Sequence, residues 1–388
     1  MKNILTLNAI SPVINDVFDT SYNVAPDAEK PIGIILRSFK MHDYALDDNT
    51  IAVARAGAGV NNIPVEDYAS RGVVVFNTPG ANANAVKELV IAALLLGSRR
   101  ITEAIKWVDT LKGKGDEIGK LVEKGKANFA GSEIYGKTIG VIGLGAVGAQ
   151  VANAAVVLGM EVLGFDPFLS VNSALKLSRA VKVVKDIEEI YKNCDYITIH
   201  IPYIASQNKD MINAGVIRKM KDGAVLINLA RGEIVNNADI IKAAENGKIT
   251  RYITDFPSEE LIGVSNIICI PHLGASTNEA EENCAVMAAK QLIDYIENGN
   301  IVNSVNYPNC SMPRSSEYRL VILHKNVNNI LAQITTTVAN EGINIANLTN
   351  QSKGGYAATI LDVDSEIPEK GVAHISKIPD IIKVRVIK

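Results

Sequence analysis

Three segments of this chain end apolar runs with residues that can move protons and grip carboxylates. They are Ile227-Asn228-Leu-Ala-Arg231-Gly232, Asp255-Phe-Pro-Ser-Glu259-Glu260 and Pro271-His272-Leu-Gly274-Ala-Ser-Thr277. An arginine, a carboxylate and a histidine make up the set needed to reduce an α-keto acid or oxidise the matching 2-hydroxy acid. Arg231 offers a planar fork that binds a carboxylate through two parallel hydrogen bonds, a geometry closed to lysine. His272 can give or take the hydroxyl proton as a hydride arrives at or leaves the carbon. A neighbouring glutamate would fix the imidazole's tautomer and keep a proton available near neutral pH. Each residue alone has an ordinary alternative: a surface ion pair, a satisfied buried histidine, a solvated turn. Their recurrence at the ends of separate strands points to chemistry, because open parallel sheets build their sites there.

The hydride carrier has its own signature. Gly143-Leu-Gly145-Ala146-Val147-Gly148 follows the strand-like run Thr138-Ile-Gly-Val-Ile142 and opens a helix. The first glycine suits a tight turn, the second lets the backbone approach a pyrophosphate, and the third permits close helix–strand packing. Unpaired N–H groups and the helix dipole then favour phosphate. Asp166 ends the next strand, 18 residues after Gly148. A carboxylate there accepts from ribose hydroxyls and repels a 2′-phosphate, so NAD is predicted over NADP.

The elements that must position these residues follow a βαβ rhythm, which predicts a mainly parallel α/β protein. With 388 residues, 47% of them hydrophobic, two or three domains with real cores are expected. A net charge of −3 argues against broad nucleic-acid binding, and no apolar run approaches the ~20 residues that span a bilayer. Cys194, Cys269, Cys284 and Cys310 are scattered, with no metal-ligand spacing. They read as reduced thiols of a cytoplasmic protein that binds no metal. The Gly/Lys-rich segment Lys112-Gly-Lys-Gly-Asp-Glu117 reads as a solvated connection at a domain crossing, and the Asn-rich stretch from Asn298 to Asn309 as a linker. Beyond it, a β-α-β-β-α-β order predicts a small ferredoxin-like unit.

Gly143–Gly148, Asn228–Gly232 and Pro271–Thr277 resemble the motifs of the NAD-dependent D-2-hydroxyacid dehydrogenase family. Arg55-Ala56-Gly57-Ala-Gly-Val60-Asn-Asn62 and Asn77-Thr-Pro-Gly80 narrow the resemblance to members that act on a phosphorylated acid. It extends over essentially the whole chain and implies two doubly wound Rossmann-like lobes, the nucleotide lobe inserted in the substrate lobe, plus a C-terminal ACT-like domain. The expected divisions are 1–97 for the first part of the substrate lobe and 98–275 for the NAD lobe. The returning helix takes 276–303 and the ACT-like domain 317–388. The implied reaction is oxidation of 3-phosphoglycerate to 3-phosphohydroxypyruvate with reduction of NAD, the first step of phosphorylated serine synthesis. A glyoxylate or hydroxypyruvate reductase and an NAD-sensing corepressor-like protein are the alternatives. The family also suggests a homodimer or homotetramer, with a dimer surface around Leu89–Trp107.

Carried over by position, Arg231 matches the substrate-binding arginine, His272 the acid–base histidine and Asp255 the carboxylate holding the nicotinamide carboxamide. Further cofactor contacts fall on Ala146, Val147, His200, Ile201, Pro202, Leu229, Ala230 and Gly274, beside Gly143, Gly145, Gly148, Asp166, Arg231 and His272. Substrate contacts fall on Arg55, Ala56, Gly57 and Asn84, beside Arg231 and His272. Arg55 is the favoured phosphate ligand, because the Gly57-Ala-Gly59 loop after it can form an anion-binding nest. Two departures stand out. The family's Asp-Val-Phe is Asp-Phe-Pro here; counting five residues from Asp255 selects Glu260 as the histidine's partner, whereas anchoring on Phe-Pro selects Glu259. The second is Lys87, where the family has a small residue. An inward lysine there would bind the substrate's phosphate or share the acid–base role with His272. In the C-terminal unit the first loop has Asn329 in place of the glycine of serine-regulated relatives, which predicts weak or absent serine inhibition.

Overall fold

The first strands fill a sheet whose interior residues are apolar on both faces, as parallel pairing requires. They are β1 (Lys2–Leu7), β2 (Tyr22–Ala25), β3 (Gly33–Leu36), β4 (Ala52–Arg55) and β5 (Val74–Phe76), all parallel in the order β2-β1-β3-β4-β5. The computed structural model describes residues 1–388, the side chain of Asn172 aside. The chain divides into two units, one made of 1–82 and 278–388, the other of 83–277.

The second unit is a seven-stranded parallel sheet of β6 (Thr138–Ile142), β7 (Glu161–Phe165), β8 (Val181–Val183), β9 (Tyr196–Ile199), β10 (Ala224–Asn228), β11 (Ile249–Thr254) and β12 (Ile267–Cys269). Its order, β12-β11-β10-β9-β6-β7-β8, reverses direction between β6 and β9. That switch point opens a crevice at the carboxyl ends of the strands. The loop Gly143–Gly148 leaves β6 there.

The entry into this unit comes one helix earlier than the predicted boundary at 97/98. The helix Ala83–Ser98 buries Val90, Ala93 and Leu94 in the same apolar cluster as Val141, Val151, Val225 and Ile253. Its buried face therefore belongs to the nucleotide-side core. The Lys112–Glu117 segment is exposed as expected, but it joins the helices Ile101–Asp109 and Ile118–Gly125 within this unit and is not a crossing.

The chain returns through the helix Asn278–Asn298, which lays Cys284, Ala285, Ala288, Ala289, Leu292 and Tyr295 against the first sheet. The stretch predicted to be a linker is packed: Ile301, Tyr307 and Cys310 are buried. Asn306 accepts from the Val75 N–H at 2.9 Å and donates to the Val73 carbonyl at 2.9 Å, which ties the stretch to β5. It leads into an antiparallel sheet of β13 (Tyr318–Lys325), β14 (Ile345–Lys353), β15 (Tyr356–Val363) and β16 (Ile381–Ile387), ordered β14-β15-β13-β16. The helices Ile330–Asn340 and Glu369–Ser376 complete the β-α-β-β-α-β order.

The central strands of this third sheet, β13 and β15, are buried on both faces. Leu320, Ile322, Leu361 and Val363 pack on its two helices. Val321, Leu323, Tyr356, Ala358 and Ile360 share a core with Phe76 of β5, Tyr295 of the returning helix and Tyr307. Polar ties reinforce that face: Arg385 lies over the Tyr295 ring at 4.6 Å and donates to the carbonyls of Tyr295 and Ile296. Arg319 and Asp362, both fully buried, form a two-armed ion pair at 2.6 and 2.9 Å. The same guanidinium donates to the carbonyls of Asn298, Met312 and Pro313.

Candidate active site

The predicted residues of the second unit converge because every strand of its sheet runs the same way. Asp166, His200, Arg231, Asp255 and His272 all follow carboxyl ends of strands in one sheet. Gly148 sits so close to the turn that a Cβ there would stand 1.8 Å from the Gly143 carbonyl oxygen, so only glycine fits. Gly145 caps the helix Ala146–Val157, and a Cβ on it would meet nothing within 4 Å, leaving open space over the helix's first N–H groups. Ala146 and Val147 form that first turn. Asp166 is braced at both oxygens, accepting from the Leu144 and Phe168 N–H groups at 2.9 Å each. The remaining lone pairs can take ribose hydroxyls. Replacing Asp166 with Asn should therefore lower the NAD-over-NADP ratio of kcat/KM by about tenfold or more, the worth of a charged hydrogen bond; steady-state rates with both cofactors measure it.

His200 lies under the glycine turn, its main-chain N–H bonded to the Ile142 carbonyl at 2.7 Å and its Nε2 2.9 Å from Thr198 Oγ1. Burial pushes its imidazole down to about 4, so it is neutral at physiological pH. Ile201 and Pro202 continue the same loop; Ile201 Cγ2 closes on Gly143. Leu229 is buried and Ala230 donates its N–H to Asn228 Oδ1 at 3.2 Å. The buried Asn228 also donates to the Arg231 carbonyl at 2.9 Å, which sets the turn carrying the guanidinium.

Asp255 is the telling residue. It is 1% exposed, its Oδ2 accepts from the Gly274 N–H at 3.2 Å, and its Oδ1 is buried with no hydrogen-bond partner. Burial raises its carboxyl above the usual carboxylate range, against the opposing pull of the His272 and Arg231 charges. An orphaned acceptor in a dry site is costly unless a donor arrives, and a carboxamide N–H₂ is such a donor. The residues present thus fit a nicotinamide dinucleotide from its phosphates to its carboxamide.

His272 is exposed and adopts φ 43°, held by its N–H, which donates to the carbonyls of Asp255 and Ile270 at 3.0 Å. Its ring packs on Phe256, with centroids 4.8 Å apart. Among the described residues, no hydrogen bond or ion pair joins it to Glu259 or Glu260. Glu260 Oε2 instead accepts from Asn237 Nδ2 at 3.2 Å. Sequence reasoning missed both Asn237 and the Phe256 contact, although Phe256 occupies the very position where the chain leaves its family's pattern. Lys87 donates to Asn84 Oδ1 at 2.5 Å and stands 3.9 Å from Glu88. Its neighbour Val86 faces Gly274, so the lysine's helix abuts the loop bearing His272.

Arg55, Ala56 and Gly57 lie in the first unit, at the carboxyl end of β4. Arg55 Nε donates to the Arg37 carbonyl at 3.0 Å, Ala56 N–H to the Leu36 carbonyl at 2.7 Å, and the Gly57 carbonyl accepts from Thr78 N–H at 3.1 Å.

Comparison with known proteins adds to this geometry. A family model described as the NAD-binding domain of D-isomer specific 2-hydroxyacid dehydrogenases matches residues 91–274. The D-3-phosphoglycerate dehydrogenase of Haemophilus influenzae is 31% identical over 349 residues, covering 87% of this chain and 81% of that protein. The Methanocaldococcus jannaschii enzyme of the same name is 33% identical over 73% of this chain, which spans 52% of its length. The NAD⁺-bound 3-phosphoglycerate dehydrogenase of Entamoeba histolytica is similar in structure, with a TM-score of 0.61 and 26% identity over 79% of this chain and 98% of that one.

Proposed function

Because this chain belongs to the D-isomer specific 2-hydroxyacid dehydrogenase family, we propose that it oxidises 3-phosphoglycerate to 3-phosphohydroxypyruvate with NAD, opening phosphorylated serine synthesis. The observation that carries the reading is Asp255, its Oδ1 buried without a partner and its carboxyl within electrostatic reach of Arg231 and His272 at the edge of a dinucleotide fold. When bound, NAD supplies the acceptor for the hydride of C2. Asp255 orients the nicotinamide ring through its carboxamide. Arg231 grips the substrate carboxylate in a bidentate clamp and draws charge toward the C2 oxygen as the carbonyl forms. His272 takes the hydroxyl proton on its imidazole. Glu260, on leaving Asn237, supports the imidazolium, and Glu259 is the second candidate for that part. Lys87 shares the proton's path or meets the phosphate, with Asn84 steering its ammonium. Arg55 is the proposed phosphate ligand, without the N–H groups beside it: that of Ala56 donates to the Leu36 carbonyl and that of Gly57 to the Arg55 carbonyl.

The C-terminal domain reads as ACT-like. Asn329 adopts φ 64°, the left-handed conformation of the glycine it replaces. His324 is saturated by the Lys325 carbonyl and Thr359 Oγ1, so little remains there for an effector to bind. Ile101, Ile105 and Val108 stay exposed along one face of their helix, which suits burial in a homodimer or homotetramer. Four unpaired cysteines accord with a cytoplasmic protein.

The decisive assay follows NADH absorbance with 3-phosphohydroxypyruvate and, separately, with hydroxypyruvate. The phosphorylated acid should give the higher kcat/KM; a preference for the free acid would make the protein a reductase. In the same assay Lys87→Ala should raise KM for the phosphorylated acid about tenfold, the worth of one charged contact. A loss confined to kcat would place Lys87 on the proton's path instead.

A further inference from the structure

The imidazole of an acid–base histidine must be held in one orientation, and among the described residues no carboxylate hydrogen-bonds to the His272 ring. Glu260 is engaged by Asn237, and His272 is exposed to solvent. What touches the ring is Phe256, tilted 50° to it at 4.8 Å between centroids. Phe256 and the backbone beside it are themselves held in place. Its N–H donates to Thr254 Oγ1 at 3.1 Å. The Asp255 carbonyl just before it holds the His272 N–H at 3.0 Å. The Phe256 Cβ lies close to Gly232, where an added Cβ would stand 3.2 Å from it. The Phe256 side chain therefore lies against the turn that presents Arg231, at Gly232, and against the ring of His272. Both groups must address the same carbon, and displacements of an ångström are enough to lower rates about 100-fold.

We propose that Phe256 is the positioning residue of this site, setting the His272 ring against the Arg231 turn while Glu260 is still held by Asn237. The proposal rests on His272 being the acid–base group. A phenyl ring has no proton to transfer and no charge to place, so its removal should act on kcat through His272 and leave KM and cofactor binding alone.

The test measures kcat and KM for 3-phosphohydroxypyruvate, and NADH affinity by fluorescence titration, in wild type, Phe256→Leu, Phe256→Tyr, His272→Ala and the Phe256→Leu/His272→Ala double variant. Leucine keeps most of the volume, and unchanged NADH affinity shows that the fold is intact. We expect Phe256→Leu to lower kcat about tenfold or more with KM within twofold, tyrosine to restore it, and the double variant to be no slower than His272→Ala alone. If His272→Ala is dead and Phe256→Leu keeps its kcat, the positioning proposal is overturned while the acid–base reading stands. An equal loss from Phe256→Leu with and without His272 overturns it too. If His272→Ala keeps its kcat, the acid–base reading has failed and the proposal falls with it.

Discussion

His272→Ala lowers kcat by about 100- to 10,000-fold, the usual worth of a positioned general acid or base, while NADH affinity changes little. The expectation follows from how the residue is built in. Its ring makes no hydrogen bond to the glycine loop, to Asp166 or to Asp255, and it is the main-chain N–H that is tied to the Asp255 and Ile270 carbonyls. Truncating the side chain therefore removes the proton carrier and leaves the cofactor's supports in place. The positive φ of 43° means that alanine sits under mild backbone strain, so His272→Asn, which tolerates that region better, serves as a second variant. Stopped-flow mixing with NADH and 3-phosphohydroxypyruvate separates binding from hydride transfer. Retention of wild-type kcat in both variants would move the proton to Lys87.

The largest effect on stability is expected from Asp362→Asn. It leaves the Arg319 guanidinium buried, charged and short of its partner, a change that costs about 3–5 kcal/mol. Against a total of roughly 5–15 kcal/mol for a folded domain, this should lower Tm by about 10 °C. The carboxyl of Asp362 is held below its usual range, burial opposing and the Arg319 and Ser315 hydrogen bonds prevailing. That lowered value has a sign: the stabilisation is present above the unfolded-state range and is lost as pH falls through the folded one. Melting curves of wild type should thus lose more on acidification than those of Asp362→Asn. An apolar pair of similar volume, Arg319→Met with Asp362→Leu, should recover most of the loss, since burial without charge needs no partner. Equal melting of wild type and Asp362→Asn would show that the pair contributes nothing net.

Much of the nucleotide site is legible in the sequence because it is local. A strand, three glycines, a helix start and Asp166 fall within about one βαβ unit, and each has a single physical reason to be where it is. Arg231, Asp255 and His272 are legible for a related reason, since residues that end parallel strands must share an edge. What the sequence hides is partnership. The apolar stripe of Ala83–Ser98 tells that a face is buried, but not in which core. The polar run around Asn306 looks like a linker, since a side chain that replaces a neighbouring strand's hydrogen bonds has the composition of a loop. Arg319 and Asp362 look like outward-facing strand residues until a second surface covers them. The pairing of Glu260 with Asn237 is likewise a matter of where a loop folds, which spacing from Asp255 does not encode.

That covered sheet bears on how such a chain can change over generations. A C-terminal domain with one free face is modular: it can be gained, lost or exchanged without disturbing its host. Here Val321, Leu323 and Ile360 complete a core begun by Phe76, Tyr295 and Tyr307, and Arg319 satisfies three carbonyls of the connecting segment. Substitutions on either side must be matched on the other, so removing the tail would expose a core that the rest of the chain cannot close.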